Sequence, residues 1–218
     1  MISEALRTDI EAWAARKDQR ALFALARTGR LTTAMVRSYI ANMTHLTQLT
    51  PIHLERAERA ARRLADDRLA AHFAHKREEE AGHAAWGERD LASLDEVVAA
   101  PARAIAPSVE ALVGFLEETI DREPALYLGY IAFAEYVTVL LGPELLSCIE
   151  ERCGVPRSSM TVIDNHIELD RDHAEEGFGV IDDLVREPQR IAPMRRALAQ
   201  VLAHFDRVCE EVTLEPEV

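Results

Sequence analysis

The stretch from Ala125 to Gly142 constrains this chain more than any other. Wound as a helix it is apolar or aromatic on every face, and Glu135 near its middle is its only formal charge. A helix without a charged or polar face has to be enclosed by other elements. Its length would also suit a bilayer, but a carboxylate at the centre and an acidic chain around it argue for a protein core instead. The expectation is a bundle of helices wrapped around this one.

The remaining sequence agrees. Strict apolar–polar alternation is nearly absent, whereas apolar spacing of three and four residues recurs along the chain. A first helical stretch covers about residues 3–26 and breaks near Asp18. A turn at 28–33 ends in a Thr cap, and a helix from about Thr33 to Leu64 should kink or split at Pro51. The Asp66–Asp67 pair caps a helix running to about Leu94. Pro101 and Pro107 mark a connection over 95–107, and Ser108 caps the next helix to about Asp121. Pro124 suits the first turn of the apolar helix, which should end at Gly142-Pro143. A short helix closes near Gly154, another runs from Ser158 or Ser159 to about Val185, and a last one covers about 189–212. Without repeats or long linkers, the chain reads as one all-α domain over residues 1–218, with seven or eight helices.

Composition narrows the function. The 218 residues hold 38 Asp plus Glu against 25 Lys plus Arg, a net charge of −13. Such a chain repels phosphate backbones and anionic lipid, so neither nucleic acid nor membrane is an expected partner. Lys17 and Lys76 are the only lysines. Cys148, Cys153 and Cys209 form no CxxC pair, and their odd number speaks against a disulfide framework. The start, MISEALRTDIEAW, has acids where a signal peptide needs basic and then apolar residues. A cytoplasmic protein is the expectation, with a homodimer as the default assembly.

Three segments bring ionisable groups into apolar helix faces. In residues 163–184, Ile167, Phe178, Ile181 and Leu184 gather on one side, opposite a charged face that includes Glu168, Asp172 and Glu176. His166, Asp170 and His173 fall within the apolar arc at i, i+4 and i+7, a ladder that can share one or two metal ions. An ionised Asp buried without a partner costs several kcal/mol, so something must compensate it. An internal hydrogen-bonded triad or a salt-bridged groove is the alternative.

In residues 69–94 the apolar side is defined by Leu69, Phe73, Leu91 and Leu94. Glu80 projects at its centre with His83 beside it, the i, i+3 pairing that di-iron carboxylate bundles use. Glu79 lies on the flank and is the other candidate. Gly82 and Gly87 sit in the helix interior at a cost of up to about 1 kcal/mol each, which suggests close packing or room for a ligand. Lys76, one turn before Glu80, is expected to snorkel outward, with an ion pair or a substrate contact as alternatives. Glu135 in its apolar helix must either shift its pKa upward and neutralise, or find a cation.

Together Glu80, His83, Glu135, His166, Asp170 and His173 offer three imidazoles and three carboxylates. Mixed nitrogen and oxygen donors suit iron or manganese better than calcium or structural zinc. No catalytic side chain beyond these ligands is expected.

The order EExGHxxW (Glu79 to Trp86), Asp90-Leu91, a buried Glu135 and then HxxxDxxH (His166 to His173) resembles the haem-oxygenase-like di-iron oxidases and oxygenases. The resemblance runs from about Thr33 to Leu184. It implies an all-α, haem-oxygenase-like bundle of about seven helices. It also implies two Fe(II) ions per chain on those six residues, one of them weakly held, with O₂ as co-substrate. The implied activity is oxidation of a small amino-acid- or fatty-acid-like metabolite. Some relatives carry a carboxylate where this chain has Lys76. Thiaminase-like proteins of the same fold use a Cys in the central helix, and the helix expected here has none. Self-sacrificing relatives place a Tyr before the central Glu, where this chain has Ala134, with Tyr136 after it. The first His, His45, is followed by no GxxxG-type run, which speaks against haem.

Phe73, Lys76, Trp86, Tyr127 and Tyr130 are the candidates for a small-molecule substrate pocket. Two other readings stay open: a non-catalytic iron-binding bundle, and a metal-free transferase or hydrolase with Glu135 as acid or base.

Overall fold

Nine α-helices occur among the described residues, 1–98 and 104–214, of this computed structural model, and no strand does. They are α1 Ile2–Ala14, α2 Ala21–Arg27, α3 Thr33–Arg63, α4 Asp67–Glu79, α5 Ala84–Asp95, α6 Pro107–Arg122, α7 Tyr127–Cys153, α8 Thr161–Leu184 and α9 Ile191–Glu211. Pro101 lies outside the described residues.

Local chemistry explains most boundaries. Thr32 caps α3 by accepting from the Met35 N–H at 3.2 Å, and Asp66 caps α4 by accepting from the Leu69 N–H at 3.0 Å. Gly154, at φ +73°, ends α7 in the left-handed conformation that glycine adopts without penalty. Ser108 does not cap α6. Pro107 takes the first position, and the Ser108 N–H and hydroxyl donate to the Glu211 carboxylate at 2.9 and 2.8 Å, tying α6 to α9.

Further expectations are corrected. Pro51 does not split α3, which runs unbroken from Thr33 to Arg63, and Pro143 does not end α7. Each removes one backbone bond at a cost of about 3 kcal/mol, but both flanks stay buried: Leu46 and Leu54 around Pro51, Leu141 and Leu146 around Pro143. The apolar helix therefore runs on to Cys153 and contains Cys148, so the expected absence of cysteine from it does not hold. Conversely, the helix expected from Asp66 to Leu94 is broken. Gly82 adopts φ +90°, which only glycine reaches without strain, and residues 80–83 turn the chain between α4 and α5.

By length and hydropathy Pro124–Cys153 could cross a membrane, but 67% of its apolar window is buried within the fold. Two glycines set how closely its neighbours approach. A Cβ at Gly142 would lie 2.8 Å from the Ile167 side chain, so α7 and α8 touch there backbone to side chain. A Cβ at Gly87 would lie 2.0 Å from Thr44 Oγ1, so α3 and α5 are equally close. Asp90 on α5 is almost fully buried and caps α8: it accepts from the Val162 N–H and the Thr161 hydroxyl, both at 2.7 Å. That carboxylate holds the start of α8 against α5, and with it the register between His83 and His166.

Candidate metal centre

The six candidate ligands gather as two sets of three. Glu80, His83 and His166 each offer a donor atom within 4.8 Å of the others, and so do Glu135, Asp170 and His173. Metal–ligand bonds of about 2.0–2.2 Å put neighbouring donors roughly 3–4 Å apart. Small side-chain movements would close either set on an ion, and the mixed donor chemistry fits iron.

The first set is built across the break between α4 and α5. Glu80 is the C-terminal cap of α4, and the tight turn at Gly82 returns the chain so that His83 Nδ1 lies 3.1 Å from Glu80 Oε2. The Glu-x-x-His pair thus meets without a continuous helix. His166 comes from α8, and its Nδ1 lies 2.5 Å from the Val162 carbonyl. A carbonyl only accepts, so Nδ1 carries the proton and Nε2 keeps its lone pair for a metal. Trp86 stacks on His83 at 4.4 Å and meets His166 edge-on at 5.4 Å, walling the set from one side. Glu79 stays outside the set, pairing with His75 at 3.3 Å and Lys76 at 3.2 Å.

The second set joins α7 to α8. Asp170 and His173 lie one turn apart on α8, facing Glu135. Gly177, one turn further on, leaves room for that carboxylate: a Cβ there would lie 3.1 Å from Glu135 Oε2.

Lys76 does not snorkel. It is 6% exposed, and its Nζ lies 2.6 Å from Glu135 Oε1 and 3.9 Å from Glu80 Oε1, one carboxylate from each set. At 2.6 Å the contact with Glu135 is a close ion pair between α4 and α7. The cation that a buried Glu135 demands is therefore supplied by α4.

Burial and these contacts divide the carboxylates. Burial raises Glu135, and the opposing charges of Lys76 and His173 do not fully offset it. Burial, then the charges of Glu135 and Glu80, raises Asp170 to about 8. Burial pushes Glu80 upward too, but the His83 hydrogen bond and the Lys76 charge bring it below the ordinary carboxylate range. Burial alone would lower Lys76, yet the three glutamates around it outweigh that and hold it charged. Burial lowers His166, favouring the neutral imidazole that binds metal.

A cavity of about 170 Å³ adjoins both sets, reaching Glu80, Glu135, His166 and Asp170. Its walls are largely apolar, with Ile131, Ala134, Leu141 and Leu145 from α7 and Met43 and Leu46 from α3. The hydroxyls of Thr47, Thr50 and Thr138 also line it, but each donates to a carbonyl of its own helix. Of the pocket candidates, Lys76, Tyr127 and Tyr130 line this cavity, whereas Phe73 packs behind Tyr127 and Trp86 lies behind the histidines. Tyr127 is fully buried, and its hydroxyl has no hydrogen-bond partner among the described residues. Tyr136 points elsewhere, donating to Glu11 at 2.7 Å on α1. Cys148 lies roughly 20 Å along α7 from Glu135. Cys209 lines the cavity, but burial pushes its thiol up to about 12, where it is no nucleophile.

Solved structures superpose on nearly the whole chain. A domain of unknown function with a haem-oxygenase-like fold from Shewanella denitrificans matches with a TM-score of 0.81 and 21% identity, over 95% of this chain and 90% of that one. This chain has the haem-oxygenase-like fold. A TenA homologue from Pseudomonas syringae pv. tomato gives a TM-score of 0.73 at 18% identity, covering 96% and 91%. A CADD-like protein of unknown function from Nostoc punctiforme gives 0.69 at 13%, covering 97% and 96%. No family model and no curated protein matches the sequence.

Two residues of this centre had no role in the sequence reading. Asp90 belonged to the quoted motif, and its signal was an acid on the buried side of α5 with no partner on its own helix. Gly177 followed the ladder one turn on, where a missing side chain marks space for a neighbour.

Proposed function

We propose that this protein is a cytoplasmic non-haem di-iron oxidase or oxygenase that acts on a small metabolite with O₂ as co-substrate. The observation that carries this reading is the pair of three-donor imidazole–carboxylate sets side by side on the wall of an apolar cavity. Iron held there supplies O₂ activation and electrons.

The chain's residues prepare that chemistry. The Val162 carbonyl holds His166 in the tautomer whose Nε2 can ligate. Trp86 shields His83, and Asp90 keeps α5 and α8 in register. The apolar lining excludes water and receives the nonpolar body of the substrate. Tyr127 and Tyr130 offer hydroxyls to its polar end. A free α-ammonium on the substrate would need a carboxylate, and those within reach belong to the two sets, so an apolar-tailed, fatty-acid-like substrate fits better than a free amino acid.

Anaerobic Fe(II) titration followed by exposure to O₂ tests this. At saturation the protein should take up two irons per chain and give an absorbance transient with O₂. His173→Ala should lower the stoichiometry to one and abolish substrate oxidation. A stoichiometry never above one, or turnover indifferent to His173, would overturn the reading. Uptake of iron with no oxidised product would favour the non-catalytic bundle.

A further inference from the structure

An ammonium group inside a metal-ligand set is a contradiction the fold has to resolve. Lys76 is one of only two lysines, while every other basic side chain is arginine. A compact charge on a flexible stem can enter the interior and leave it again, which a planar guanidinium does less readily. Its contacts are uneven: 2.6 Å to Glu135 in the second set against 3.9 Å to Glu80 in the first.

An ion bound to Glu135 at about 2 Å would lie within a few ångströms of that ammonium, where like charges repel strongly even at an effective dielectric constant near 20. One of the two must give way. Glu135 stands on the unbroken, enclosed helix α7, with its Oε2 in the space that a Cβ at Gly177 would narrow to 3.1 Å. Lys76 has a second partner, Glu79, 3.2 Å away and 29% exposed at the side chain, in the direction of solvent.

We propose that Lys76 is a tethered cation that competes with metal for Glu135. The set Glu80–His83–His166 fills first, and the set Glu135–Asp170–His173 fills only as the ammonium moves off toward Glu79. This deepens the di-iron reading above and rests on it. It assigns the weak site to the second set and gives the cause as a side chain of this chain.

The test is metal binding itself, read without turnover. Anaerobic calorimetric titration with Fe(II) should give two steps in the wild type. In Lys76→Met, which keeps the bulk and drops the charge, the second step should tighten by about tenfold or more and the first by less than about threefold. Lys76→Arg should show no tightening. A second measurement needs no variant of Lys76: with [¹³C]lysine label only two side-chain Cε signals arise, and Lys17→Arg assigns them. Under titration with Zn(II) as a diamagnetic probe, the Lys76 signal should hold through the first equivalent and move with the second.

An unchanged or weakened second step in Lys76→Met, or a Lys76 signal indifferent to the second equivalent, overturns the proposal. If wild type and variant both bind two ions with the same constants, only the competition fails. If neither binds metal, the di-iron reading fails and the competition with it.

Discussion

Substituting Gly87 tests whether the close approach of α3 and α5 is a real constraint. An added Cβ would lie 2.0 Å from Thr44 Oγ1 and 2.8 Å from both Thr44 Cβ and Cγ2. Rotating Thr44 cannot relieve all three contacts, and it would break the 2.7 Å bond from its hydroxyl to the Ile40 carbonyl. The helices must part or the core must strain, which typically costs about 1–3 kcal/mol, and the broken bond adds about 1 kcal/mol. Alanine in place of glycine returns up to about 1 kcal/mol of helix propensity. The expected result for Gly87→Ala is a net loss of about 2 kcal/mol, a fall in Tm of roughly 4–8 °C for a domain of this size. Thermal or urea melts of the metal-free protein measure it. Thr44→Ala removes Oγ1 and Cγ2, so the double variant should regain at least about 1 kcal/mol relative to the sum of the singles. A Gly87→Ala protein as stable as the wild type, or a strictly additive double variant, would refute the packing argument.

Two further outcomes follow from the second donor set. Asp170 is raised from 3.8 to about 8 by burial and its acidic neighbours. The folded chain then holds more protons than the unfolded one between those values, and metal-free stability falls as pH rises. Urea midpoints should be lower near pH 8.5 than near pH 6, and Asp170→Asn should flatten that slope. Gly177→Ala would bring a Cβ to 3.1 Å from Glu135 Oε2. It should weaken the second metal step by roughly tenfold while Tm holds or rises by helix propensity, as paired titrations and melts would show.

Much of this was legible in the sequence because it depends on single helices. An all-round apolar segment has one stable surrounding, so α7 at the centre follows from composition. The arc containing His166, Asp170 and His173 follows from helix geometry, and α8 is continuous there. What failed depends on how helices meet. Pro51 and Pro143 obey a local rule that burial of both flanks overrides. Gly82 carried two local meanings, close packing and ligand space, and its use as a positive-φ turn emerges only when α5 must fold back along α3. Lys76 lies inward because α7 presents Glu135 to α4; on a single helix the snorkelling rule pointed the other way.

The same pairing explains why the donor sets can exist before any metal arrives. Glu80, Glu135 and Asp170 bring three carboxyl groups into one interior, and without compensation that burial would cost many kcal/mol. The chain offsets it in two ways: Asp170 keeps its proton, and Lys76 stands against Glu135. Neither device needs a ligand, so helix spacing set at Gly87 and Gly142 and the Asp90 cap can hold the donors in place. Both devices then oppose loading of the second set, since the proton and the ammonium must leave the groups that an ion would bind. The first set carries no such burden: Glu80 already sits low in pKa and His166 already presents its lone pair. On the di-iron reading, unequal affinity is thus the consequence of folding without metal, and removing the lysine's charge should trade metal-free stability for tighter binding at Glu135.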